Sequence, residues 1–128
     1  MTDNYEIVFE IEEKCEKELQ KKGINIDTYT DKIIRYAVVF YENGTELHIM
    51  KLDMNIQKRL YFETTLYIVK LGLRERALVT IDEDKLFDRL IITLWAFTEN
   101  HDYEKIFRRL GESMYQKYLN QEEDKANE

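Results

Sequence analysis

The chain of 128 residues has no proline, one cysteine, one serine, one tryptophan and four glycines, and each scarcity removes a class of answer. Without proline, helices and strands run free of its kinks, and only glycines and capping residues punctuate the chain. One cysteine, Cys15, excludes an intramolecular disulfide and an all-cysteine metal site; small exported domains are usually stapled, so this usage predicts a cytoplasmic protein. The glycines, Gly23, Gly44, Gly72 and Gly111, are never closer than 21 residues, too sparse for a loop whose backbone N–H groups cradle a phosphate. No apolar run approaches the roughly 18 residues that a membrane-spanning helix needs. The first residues lead into an acidic segment rather than a basic one followed by an apolar stretch, so neither export nor membrane insertion is expected.

Nucleophiles are equally scarce. Ser113 lies between Glu112 and Met114 in a helical pattern and lacks the Gly-x-Ser-x-Gly setting of a strained elbow, which makes it a surface position. Cys15 sits among Glu12, Glu13, Glu16 and Glu18, whose negative field disfavours a thiolate. Two histidines, His48 and His101, together with one cysteine are too few for a structural zinc site, and no metal or cofactor is expected. The pair His101-Asp102 resembles half of a phosphohydrolase metal site, with His48 and Asp124 needed to complete it; the cheaper reading is a turn in which Asp102 caps the next helix. Asp82, Glu83, Asp84 and Asp88 lack the glycine of a calcium loop and read as first-turn acids of a helix.

What is present suits a single domain. Residues of hydrophobic type make up 44% and charged ones 35%, clear of the disordered class, so one compact domain is expected over 1–120, followed by a disordered acidic tail at 121–128 that lacks a packing face. The net charge of -7 is unevenly spread: acids crowd 1–31, whereas 58–76 holds Lys58, Arg59, Lys70, Arg74 and Arg76. Those bases, interleaved with Tyr61, Phe62 and Tyr67, are the candidates for phosphate and base contacts with nucleic acid.

Periodicity assigns the elements. Val8, Ile11, Cys15 and Leu19 recur at helical steps and predict a helix over 4–22, although Tyr5, Ile7, Phe9 and Ile11 alternate and allow a strand leading into a shorter helix. Ile34, Tyr36, Val38 and Phe40 alternate before Asn43-Gly44, favouring a hairpin over 33–52; Ile34, Ala37, Val38 and Tyr41 fit a helix as the rival. Ile56, Leu60, Thr64, Tyr67 and Leu71 predict a helix ending at Gly72, and Ala77–Ile81 a short strand. Leu86, Leu90, Leu94 and Phe97 predict a helix ending near Asn100; Tyr103, Ile106, Phe107, Leu110, Met114 and Tyr118 predict a last one interrupted by Gly111. The expected fold is therefore α+β and helix-rich: about four helices with a small antiparallel sheet made of the 33–52 hairpin and a strand near 77–81, or an all-α bundle if the hairpin is a helix.

Nine tyrosines beside six phenylalanines and Trp95 point to a half-wet aromatic surface of the kind enriched at protein interfaces. Trp95, Tyr103 and Tyr115 are the contact candidates, with Trp95 on the outer face of its helix as the candidate dimer contact. With no catalytic constellation in view, the expected function is a small acidic cytoplasmic interaction module, an adaptor, inhibitor or assembly factor that binds another protein and self-associates. Its acidic segments, Glu10 to Glu18 and 82–88, suit mimicry of a phosphate backbone. A nucleic-acid-associated regulator using 58–76 is the alternative, and a metal-dependent hydrolase around His101 and Asp102 a weaker one.

Overall fold

The computed structural model describes residues 4–52 and 65–126, with side chains through Met114. In chain order the elements are β1 (Glu6–Ile11), α1 (Glu13–Lys22), α2 (Asp27–Asn43), β2 (Ile49–Lys51), β3 (Leu66–Lys70), β4 (Arg76–Asp84), β5 (Arg89–Thr98) and α3 (Tyr103–Ala126). The strands form one mixed sheet in the order β1-β5-β4-β3-β2, in which only the β1–β5 pairing is parallel. Three helices over a five-stranded sheet replace the expected four helices with a minor sheet, and the all-α alternative is likewise overturned.

Apolar residues of both sheet faces are buried, which divides the core in two. Val69, Ala77, Val79, Leu90, Ile92 and Leu94 face one way and pack with Cys15, Leu19, Ile33 and Ala37 from α1 and α2. Leu66, Ile68 and Leu78 face the other way and pack with Phe107 of α3, itself fully buried. A sheet covered on both faces reads as continuous apolar runs rather than clean alternation.

That explains the largest correction. Leu86, Leu90 and Leu94 recur every four residues, but four is also a multiple of the strand period of two, so the same spacing fits a strand. The segment Arg89–Thr98 is rich in β-branched and aromatic residues, and it forms β5; Asp82, Glu83 and Asp84 end β4 rather than starting a helix. The same ambiguity applies to Tyr67 and Leu71: Tyr67 lies in β3 and Leu71 just follows it, while the remainder of that expected helix, 55–64, lies outside the described residues.

The hairpin expected over 33–52 is replaced by α2 followed by the short β2. Asn43-Gly44 ends a helix instead of turning two strands: Gly44 takes a φ of 79°, and its N–H reaches the Phe40 carbonyl at 2.7 Å. At the N-terminus the strand-then-helix alternative holds. Glu12 caps α1, its carboxylate accepting the N–H groups of Lys14 and Cys15 at 3.0 Å each. The last helix begins at Tyr103 as expected, and Gly111 is buried within it.

Candidate interaction surface

Among the described residues β4 and β5 form the longest hairpin, and its tip is unusual in what it exposes. Asp84 pairs with Arg89 across a turn made of Lys85, Leu86, Phe87 and Asp88, with Asp88 in the left-handed region at φ 50°. The Asp84 carboxylate organises the turn: one oxygen accepts the Phe87 N–H at 3.3 Å, the other accepts Arg89 Nη2 at 2.7 Å and Nε at 3.2 Å. That bidentate contact holds the Asp84 carboxyl below the usual carboxylate range. The Arg89 guanidinium carbon lies 5.3 Å from the Phe87 ring centroid, a cation–π arrangement that positions the ring. Leu86 nevertheless remains 82% exposed and Phe87 65%.

β3 begins opposite Thr80, so β4 runs four residues beyond it. On the other side the tip is braced by β1, whose Glu6 N–H donates to the Asp88 carbonyl at 2.8 Å. Glu6 stands beside Arg89, Val8 beside Ile91 and Glu10 beside Thr93. Strand alternation puts Glu6 and Glu10 on the same sheet face as Asp82 and Asp84 across β5. The fold thus brings together two of the acidic segments that the sequence keeps seventy residues apart.

The other contact candidates fall elsewhere. Trp95 is the extra residue of a β-bulge, since Leu78 pairs with Ala96 and Val79 with Leu94. Its ring packs toward α3 and its Nε1–H donates to Thr80 Oγ1 at 2.9 Å, so it supports the second core instead of an outer helix face. Tyr103 also packs there, under the Arg76 guanidinium at 5.0 Å. The side chain of Tyr115 lies outside the described residues, as do Lys58 and Arg59.

Of the remaining bases, Lys70 and Arg76 are cross-strand neighbours and Arg74 lies in the intervening turn. Arg76 Nη1 donates to the carbonyls of Gly72 at 2.9 Å and Glu75 at 3.0 Å, so its guanidinium closes a turn rather than facing outward as a free cation. His101 and Asp102 occupy the turn before α3. Among the described residues no group of three or more His, Cys, Asp or Glu is placed to hold a metal.

His48 has a carboxylate beside it. Its Nδ1 is 3.1 Å from both oxygens of Glu46, and its ring stacks on Tyr36 at 4.1 Å and 5°. Such a pair orients an imidazole, and here the stacked rings fasten the loop before β2 to α2. Burial pushes the Cys15 thiol up to about 12, with Glu12, Glu18 and Glu16 adding to the shift. No helix among the described residues is long and apolar enough to cross a membrane. Protein-family models, curated proteins and solved structures give no match to the chain.

Proposed function

We propose that the protein is an interaction module that engages another protein through the β4–β5 tip and the adjoining start of β1. One observation carries this reading: two large apolar side chains, Leu86 and Phe87, stand exposed side by side on a turn whose backbone is held by Asp84, Arg89 and β1. Scattered exposed leucines are ordinary, but a paired leucine and phenylalanine on a pre-organised turn can enter a partner's pocket at low ordering cost. Aromatic anchors of this kind dominate interface energetics, and the acids alongside select for a basic partner surface.

A photo-reactive phenylalanine analogue in place of Phe87 tests the reading in the protein's own cells. The expected result is one dominant crosslinked protein, absent when the same analogue replaces Leu47, which is 98% exposed at the other end of the sheet. Equal crosslinking from both positions, or none from position 87, contradicts it.

A further inference from the structure

We infer that the outer edge of β1 receives an extended segment of the partner as a sixth strand, with Lys or Arg of that segment facing Glu6 and Glu10. This rests on the interaction reading above and specifies the surface and the chemistry of its partner. Among the described residues β1 ends the sheet and bonds only to β5. The N–H groups of Glu6 and Glu12 donate to the Asp88 and Leu94 carbonyls, at 2.8 and 2.9 Å, which fixes even-numbered N–H groups inward. Strand alternation then directs the N–H and C=O groups of Ile7, Phe9 and Ile11 outward, where no described strand meets them. Six residues span about 20 Å, enough for a full strand of added pairing.

Exposed edges are hazards that proteins blunt or use. Here the side chains define which. Glu6 and Glu10 are exposed on one face with half-buried Val8 between them, while Ile7 is 41% exposed on the other. A second copy of this chain added antiparallel brings Glu6 and Glu10 against glutamates, which repel. A partner strand with basic residues four apart and an apolar residue midway meets Glu6, Val8 and Glu10 in turn, and its own alternate apolar residues cover Ile7. Main-chain bonds then supply affinity, and the acid-apolar-acid row supplies selection.

The probe is a labelled synthetic peptide of about ten residues, a typical long strand, carrying two lysines four positions apart with valine at the three positions between them and threonine elsewhere. Its binding to the full chain is read by fluorescence anisotropy. Binding is expected to weaken about tenfold or more when alternate peptide amides are N-methylated, when the same residues are scrambled, or when the protein carries Glu6→Lys with Glu10→Lys. The milder pair Glu6→Gln with Glu10→Gln guards against a folding defect and should weaken binding less. Leu86→Ser with Phe87→Ser should leave peptide binding within about twofold, separating this inference from the tip's role. Equal binding of the methylated and unmethylated peptides overturns the added strand, and so does protection of the β1 edge by self-association of the protein alone. If position 87 crosslinks to a partner but the peptide does not bind, the edge inference falls while the interaction reading stands.

Discussion

The two edges of the sheet are built differently. β2, at one edge, is three residues long, and the core grips it at both ends: Ile49 and Leu52 are buried, and His48 just before it stacks on Tyr36. β1, at the other, offers twice the length, exposed glutamates and an apolar hairpin tip at its start. A short anchored edge has little backbone to lend. A long edge that is parallel to its only neighbour keeps a regular row of outward donors and acceptors, and its like charges discourage pairing with copies of itself. The contrast assigns structural duty to the β2 side and recognition to the β1 side.

The largest effects should come from the side that α3 covers. Phe107→Ala removes the largest fully buried side chain and should cost about 3–5 kcal/mol in urea unfolding, whereas Val8→Ala on half-buried β1 should cost about 1 kcal/mol. Similar losses at both sites would erase the distinction between the edges. Next in size is a proline pair within β1. Val8→Pro deletes an N–H directed at β5, whereas Ile7→Pro deletes one directed outward, so the first should destabilise by about 1–3 kcal/mol more. Reversal of that order would mean that β1 is turned the other way.

A smaller effect concerns Cys15, which seals the junction of β1 and α1. Its folded value of about 12 lies above the unfolded thiol's 9.0, so its contribution is complete below pH 9 and fades as pH rises toward 12. In the folded protein at pH 8 it should react with an aromatic disulfide only as fast as the protein opens; prompt reaction would show an accessible thiol. The smallest effect is expected at the tip. Asp84 is lowered by its contact with Arg89, so any stabilisation is present above the unfolded carboxyl range and is lost as pH falls through the lowered value. Carboxyl titration by NMR should place Asp84 below the usual carboxylate range, and Arg89→Gln should raise it.

How much of this was legible in the sequence depends on the period of each segment. The helix end at Gly23 was readable, because a left-handed cap after Lys21-Lys22 follows from local chemistry alone, whereas Asn43-Gly44 suits a hairpin turn as well as a helix cap and pointed to the wrong one. The strand at 77–81 was readable too, as was the start of α3 after Asp102. β5 was not: Leu86, Leu90 and Leu94 satisfy both the helix and strand templates, and only a helix layer on each face makes Trp95 and Ala96 compatible with a strand. The tip is hidden for the same reason, since Leu86 fits the inner face of a helix with Leu90 and Leu94, and Phe87 falls off that face. The β1 edge depended on a parallel pairing between residues eighty apart, which no local pattern encodes, although the alternation of Tyr5, Ile7, Phe9 and Ile11 was its one visible sign. The acids of both segments were visible as charge, but their meeting across β5 was a property of topology.

Amide hydrogen exchange of the free protein, resolved residue by residue, probes the open β1 edge most directly. Slow exchange at Val8, Glu10 and Glu12 with fast exchange at Ile7, Phe9 and Ile11 is the predicted pattern, because only the first set donates to β5. Uniform protection along β1 would mean that its outer side is already occupied and would contradict a free docking edge.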